Sequence, residues 1–174
     1  MSIPETVMLM HNIGESPSKQ PHIAANYNTR DEVANATGTL TFDGVYKNVY
    51  ENRDLLEGRD VILFVMGDYI GKDNSFDKGM PREEYCTLKE IVELEKMGCK
   101  VGWHTWSHRD LTTLSDEEIQ REITPFEGFP TDYFAYPYGR YNDRVLRLVE
   151  QKYGSAFSVD ATDGTILSIP RAYV

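Results

Sequence analysis

The chain has 174 residues, a hydrophobic fraction of 40% and a formal net charge of −10. This length fits one domain of ordinary size, and the apolar content is sufficient for a packed core. The negative charge argues against a nucleic-acid partner, because nucleic-acid affinity comes mainly from basic side chains that neutralise phosphates. The same charge argues against binding to an anionic membrane surface.

The sequence contains no run of 18 apolar residues, so we expect no membrane span. The first residues, Met1–Glu5, lack the basic start and apolar core of a signal peptide, which predicts a cytoplasmic protein. Cys86 and Cys99 are too few for a disulfide framework, and a reduced compartment agrees with this.

The first half of the chain alternates apolar runs with polar or glycine-containing breaks. Residues 12–38 are polar and are expected to form a long loop with one helical turn near Thr29–Ala34. The other predicted elements before residue 80 are strands at Thr6–Met10, Thr39–Phe42 and Val61–Met66, a helix at Tyr46–Leu56 and a loop at Gly67–Gly79.

Helix signals are stronger in the second half. Ser115 and Glu118 form a capping-box pattern, and Gly98 closes a segment with an apolar stripe at helical spacing. The predicted elements after residue 80 are helices at Thr87–Met97, at Ser115–Thr124 and after Asn142, and strands at 99–103, Asp132–Tyr136, Ser155–Val159 and Thr165–Ile169.

Strands and helices alternate along most of the chain, which predicts a single α/β domain over residues 1–174 with parallel strands. Three side chains that can carry chemistry follow predicted strands, namely His11, Asp43 and His104. Loops at the carboxyl ends of parallel barrel strands form active sites. We therefore expect these residues to share one edge of the sheet.

The segment Gly102–His108 holds two of the four histidines, His104 and His108. If the backbone turns helical after Trp103, the two imidazoles share a face and can hold a divalent metal. Asp43 is the obvious carboxylate to take a proton from water beside such a metal. The alternatives are solvated or core histidines, and an aspartate that only ends a strand in an Asp-Gly turn.

Three segments occur in the order seen in polysaccharide deacetylases, the NodB-homology enzymes also called carbohydrate esterase family 4. They are Thr41–Tyr46, His104–His108 and Phe134–Gly139. The sequence resembles this family from about Thr39 to its end, where Leu167–Val174 is similar to the family's final strand.

The resemblance implies a distorted (β/α) barrel and a divalent metal, usually zinc. It implies hydrolysis of an N-acetyl group from an amino sugar, with His104 and His108 as metal ligands and Asp43 as the catalytic base. The backbone N–H of Tyr138 is implied to help bind the oxyanion.

Gly44 occupies the position of the family's metal-binding aspartate, and glycine has no side chain to ligate. Three alternatives follow. Asp43 becomes the third ligand, or the metal is held by the two histidines and water, or no metal binds.

Ala135 stands where the family has an arginine that orients the catalytic aspartate. Arg171 or Arg140 could substitute, although Arg171 could also be a solvated charge at a strand end. The family's late Leu-x-His motif, which supplies a general acid, is absent. His11 is the best replacement because it ends a strand, and the alternative is an ordinary loop histidine.

Large aromatic residues lie beside these motifs. Trp106, Tyr136 and Tyr138 are candidates for contact with a sugar ring, and Arg171 is a further candidate for substrate binding. The alternative for the aromatic side chains is a place in the core, which is the commoner one for large rings.

The sequence therefore predicts a metal-dependent N-deacetylase that acts on an N-acetylated sugar or oligosaccharide. Its expected role is in surface polysaccharide (O-antigen-like) synthesis, because no signal peptide is evident. One alternative is a catalytically inactive, carbohydrate-binding relative. Another is a different amide or ester hydrolase on the same scaffold.

Overall fold

The structure is a computed structural model that describes residues 6–9, 12–13, 27–76, 80–130, 132–159, 167 and 169–173. Its strands are β1 (Thr6–Leu9), β2 (Asn12–Ile13), β3 (Tyr27–Asn28), β4 (Thr39–Asp43), β5 (Val61–Val65), β6 (Lys100–Trp103), β7 (Tyr133–Ala135), β8 (Ser155–Ser158), β9 (Ile169–Pro170) and β10 (Ala172–Tyr173). Its α-helices are α1 (Arg30–Asn35), α2 (Lys47–Glu51), α3 (Leu88–Lys96), α4 (Asp116–Ile123) and α5 (Asp143–Glu150). Single 3₁₀ turns lie at Arg53–Leu55, Gly67–Tyr69, Leu111–Thr113 and Pro137–Gly139.

Eight of the described strands form one parallel sheet in the order β10-β1-β4-β5-β6-β7-β8-β9. The two edge strands, β9 and β10, are separated in sequence only by Arg171. One short segment of chain therefore pairs with β8 on one side and with β1 on the other, so the sheet curls round on itself. The predicted distorted (β/α) barrel is confirmed.

Alternate residues of the central strands face opposite sides of the sheet. Leu63 and Val65 of β5 lie in a core cluster with residues of α1, α2 and α3. Ile62 and Phe64 of the same strand lie in a second cluster, with residues of β7, β8 and β9. Both faces of β5 are thus buried, as its uninterrupted apolar sequence predicts.

Side-chain caps fix where two of the helices that cover the sheet begin. Thr87 and Glu90 form a capping box at α3, and Ser115 and Glu118 form the predicted one at α4. Each box satisfies backbone N–H groups that the first helical turn leaves without intrahelical partners. The helices of the described part are all too short or too polar to cross a membrane.

Several predicted boundaries differ from the structure. The predicted helix Tyr46–Leu56 is divided into α2 and a 3₁₀ turn, because its first part, Tyr46–Asn52, carries two asparagines, a valine and two tyrosines, which are weak helix formers. The predicted loop 12–38 contains the expected helix, here α1, but also β2 and β3. Of the predicted strand Thr165–Ile169, residues 165, 166 and 168 lie outside the described residues, and β9 begins at Ile169.

The two cysteines are free thiols inside the core. Burial raises the pKa of the Cys86 thiol to about 12 and that of the Cys99 thiol to about 11. Both thiols therefore stay protonated at neutral pH, which excludes them as catalytic nucleophiles.

Gly102 in β6 offers a test of the packing inside the sheet. An added Cβ would lie 2.8 Å from the Phe64 ring and 2.9 Å from Tyr133 Cβ, which is too close for either neighbour. We expect Gly102→Ala to lower the free energy of unfolding by about 1–3 kcal/mol, as measured by urea denaturation. The matched control is Gly154→Ala, whose Cβ would meet only Asp132 O at 3.6 Å. Equal stability of the two variants would contradict the packing described here.

Candidate active site

Asp43 is the last residue of β4, and the period of the strand turns it toward the inside of the sheet. Leu40 and Phe42 point toward the helices, so Thr41 and Asp43 take the opposite face. The Asp43 residue is only 3% exposed. A buried carboxylate is strongly unfavourable unless it is paired and hydrogen-bonded.

Arg171 supplies that pairing. Its Nη1 donates to Asp43 Oδ1 at 2.6 Å and its Nη2 donates to Oδ2 at 3.0 Å, and its residue exposure is 2%. Arg171 Nε also donates to the Ser158 carbonyl at 3.4 Å. The alternative of a solvated strand-end charge is therefore wrong. Because Arg171 is buried and donates to Asp43 through both Nη atoms, its predicted contact with substrate is wrong, whereas Arg140 lies at the surface and pairs with Asp110.

His104 follows β6 directly and is 1% exposed. Its ring Nδ1 lies 2.8 Å from the Ala135 carbonyl oxygen. Because a carbonyl can only accept, Nδ1 carries the proton, and Nε2 presents its lone pair on the other side of the ring. Nε2 lies 3.6 Å from Asp43 Oδ2. A cation beside these two atoms would be favourable for both of them.

His108 reaches the same place without a helix. The segment after Trp103 is not helical, which corrects the expectation that spacing on a helix face would bring the two imidazoles together. Instead, Thr105 and His108 adopt left-handed backbone, with φ of 67° and 58°. His108 N–H donates to Thr105 Oγ1 at 3.0 Å, and the rings of His104 and His108 lie 4.7 Å apart.

The geometry partly fits a metal. Two adjacent imidazoles, one oriented through Nδ1 by a backbone carbonyl, are typical metal ligands. A carboxylate ligand is harder to supply, since Gly44 has no side chain and Asp43 already accepts from Arg171 through both oxygens. Within the described part of the chain, no group of three or more His, Cys, Asp or Glu side chains is arranged to hold a metal ion. His104 and His108 therefore fit a metal as two ligands, and Asp43 lies beside them.

The predicted aromatic contacts lie in three different environments. Tyr138, with φ of 58°, is 57% exposed, and its ring lies 4.6 Å from that of His108. Trp106 is half-buried and donates its indole N–H to the Thr124 carbonyl at 2.7 Å. Tyr136 is fully buried, packs in the core with Phe134 and donates its hydroxyl to a backbone carbonyl. The Tyr136 ring therefore has no face that a sugar could reach.

His11, the predicted general acid, lies outside the described residues. Sequence reasoning also missed Glu122 on α4, whose carboxylate bonds to the loop between the two histidines. The available signal was its position, because Ile119, Glu122 and Ile123 share one buried helix face. A charged side chain on such an apolar face is rarely buried unless other groups pair with it.

Comparisons with known proteins bear on the family and the fold of the chain. The model of the polysaccharide deacetylase family matches residues 30–156. An uncharacterized 30.6 kDa protein from the fumA 3′ region of Geobacillus stearothermophilus is 35% identical over 129 residues, which is 66% of this chain and 42% of that protein. Chitin deacetylase 1 of Saccharomyces cerevisiae is 37% identical over 84 residues, which is 44% of this chain and 27% of that protein.

A solved structure shows the same fold. The Streptococcus pyogenes deacetylase PplD, in complex with acetate, matches 100% of this chain and 93% of its own, with a TM-score of 0.76 and 18% identity. At that identity the likeness is one of fold. The chain spans less than half the length of the two curated relatives named above.

The buried pair gives a stability prediction. Arg171→Met leaves the Asp43 carboxylate buried without its cation, so we expect a loss of about 3–5 kcal/mol in the free energy of unfolding. Adding Asp43→Asn to Arg171→Met should restore part of that loss, which a double-mutant cycle in urea measures. The matched control is Arg140→Met, which breaks a surface ion pair and should change stability by about 1 kcal/mol or less. A loss for Arg171→Met as small as that of the control would contradict the buried pair.

Proposed function

This chain belongs to the polysaccharide deacetylase family, and we propose that it hydrolyses the N-acetyl amide of an amino sugar within a glycan. The observation that carries the proposal is the grouping of Asp43, held by Arg171, with His104 and His108 at the carboxyl ends of β4 and β6, two parallel strands on either side of β5. This edge of a parallel sheet is where active sites of barrel folds form. The grouping supplies a base and two imidazoles at one place.

Asp43 is the proposed general base. The Arg171 cation beside it favours the ionised carboxylate, which is the form that accepts a proton. Each carboxylate oxygen has two lone pairs, so an oxygen that accepts from Arg171 can still take a proton from a water molecule. The two parallel N–H bonds also fix the direction in which the remaining lone pairs point. Proton transfer requires this positioning within hydrogen-bond reach of the water.

His104 and His108 are the residues that would hold the divalent ion, for which zinc is the proposed metal. When bound, such an ion polarises the amide carbonyl and makes a nearby water more acidic. The Ala135 carbonyl keeps the His104 proton on Nδ1, so that Nε2 is the ligating atom. Asp43 would then serve as the base and would keep its two hydrogen bonds from Arg171.

The turn at Tyr138 lies beside His108, and the backbone N–H of Tyr138 is the proposed donor to the developing oxyanion. Its left-handed conformation places an exposed ring against His108, where it can contact the sugar that carries the acetyl group. Trp106 is the second proposed sugar contact. His11 stays a prediction as the general acid that protonates the leaving amine.

The substrate class rests on the family and on the named relative, a chitin deacetylase. An N-acetylated polysaccharide or a precursor of one is therefore the proposed substrate. A role in surface polysaccharide synthesis and a cytoplasmic location stay predictions from the sequence. Gly44 and Ala135, where the family has chemical side chains, favour one second candidate, a relative that binds glycans without cleaving them.

The histidine pair gives the functional test. In the double variant with His104→Ala and His108→Ala, we expect zinc content to fall and acetate release from an N-acetylglucosamine oligomer to drop about 1000-fold. This size corresponds to losing a few kcal/mol of transition-state stabilisation. Zinc is measured by mass spectrometry after dialysis, and acetate by an enzyme-coupled assay.

The matched control is Arg109→Ala, which changes an exposed residue of the same loop that pairs with Glu118 at the surface. It should keep both zinc and turnover. Unchanged zinc content and turnover in the double variant would overturn the proposed metal site. Glycan binding without acetate release from the wild-type protein would instead support the non-cleaving relative, and acetate release from an ester but not from an amide would indicate a different hydrolase.

A further inference from the structure

The loop that joins the two histidines has an uncommon backbone conformation at two positions. Thr105 and His108 both lie in the left-handed region, with φ of 67° and 58°, and neither is glycine. Such conformations persist when surrounding contacts determine them, and they cluster at functional sites. The residues between them, Trp106 and Ser107, therefore need a partner outside the loop.

Glu122 of α4 is that partner. Its Oε2 accepts from Trp106 N–H at 3.0 Å and from Ser107 N–H at 2.9 Å. Its Oε1 accepts from Ser107 Oγ at 2.5 Å. Glu122 is 7% exposed, so these three bonds form away from bulk water. Hydrogen bonds to a charged acceptor are shorter and stronger than neutral ones, especially where the local dielectric is low.

The end of α4 that carries Glu122 is itself fixed. The carbonyl of residue 122 accepts from Trp103 Nε1 at 2.9 Å. The carbonyl of residue 123 accepts from Tyr153 Oη at 2.6 Å, and that of residue 124 accepts from Trp106 Nε1 at 2.7 Å. The last carbonyls of a helix lack intrahelical partners, and here aromatic side chains supply them. Glu122 thus projects from a rigid helix end, and two of these donors belong to the β6 strand end and the loop itself.

We propose that Glu122 is a positioning residue for the histidine pair. Its carboxylate fixes the Trp106–Ser107 turn, and that turn holds the His108 ring opposite His104. Glu122 does not contact the reacting atoms and acts only through the loop. The inference rests on the proposed function for its kinetic test, while its structural test is independent of that function.

Glu122→Ala removes all three bonds and leaves two backbone N–H groups without their acceptor. We expect kcat for acetate release to fall about 100-fold, the size of a misplacement of about 1 Å. KM should change by about threefold or less, because substrate contacts elsewhere remain. Glu122→Gln keeps an oxygen for the two N–H groups but loses the charge, so kcat should fall only about tenfold.

The matched control is Glu117→Ala, an exposed glutamate on the same helix, which should leave kcat within about twofold of the wild-type value. A folded Glu122→Ala variant with kcat within about twofold of wild type would overturn the proposal. A fall in kcat of equal size in Glu122→Ala and Glu117→Ala would overturn it as well, since it would reflect helix stability alone.

Amide hydrogen exchange gives the readout that needs no activity. The N–H groups of Trp106 and Ser107 should be protected in the wild-type protein and exchange faster in the Glu122 variants, with the protection of β6 unchanged. If the wild-type protein releases no acetate, the proposed function fails and exchange alone decides the positioning role. If Glu122→Ala does not fold, Glu122→Gln carries the test. Unchanged exchange at both groups would overturn the inference.

Discussion

The ion pair between Arg171 and Asp43 joins residues that are 128 positions apart in sequence and lie inside the curled sheet. Arg171 stands between the two edge strands, so the residue that neutralises the site also lies where the sheet meets itself. Removing either charge would leave the other buried and unpaired, which is far more destabilising than losing a surface pair. Arg171 therefore connects the site to the place where the sheet closes.

The remaining geometry follows from this constraint. The alternation of residues along β4 turns Asp43 inward, and the end of β6 places His104 beside it. The short left-handed turn then returns His108 to His104. Glu122 contacts that turn from α4, so a helix on the outside of the sheet contributes to the arrangement inside it. Metal, base and oxyanion functions are the proposed uses of this arrangement.

Much of the fold could be predicted from local sequence. The apolar run at Val61–Val65, the capping box at Ser115 and the alternation of strands and helices all act over a few residues, so a pattern reveals them. The order of motifs also indicated Asp43 and the histidine pair. The same alternation could have placed Tyr136 in the core, since it shares a strand face with the apolar Phe134.

What local sequence could not give is the set of contacts between distant segments. Nothing near Arg171 indicates whether its charge is solvated or buried against β4. The histidine segment does not predict two left-handed residues, because neither Thr105 nor His108 is glycine and Thr105 is β-branched. For Glu122, the sequence shows only that it lies on the apolar face of its helix, and not which groups it bonds to. These features depend on tertiary contacts that override local preference.

In the proposed site, two histidines hold the metal while Asp43 stays with Arg171 as the base. A crystal structure of the protein grown with zinc, with an anomalous difference map at the zinc edge, tests this directly. We expect one strong peak at about 2.0–2.1 Å from a ring nitrogen of both His104 and His108, with both Arg171–Asp43 bonds retained. A map with no peak between the two imidazoles would contradict the proposed site. A peak that Asp43 ligates, with its bonds to Arg171 broken, would contradict it as well.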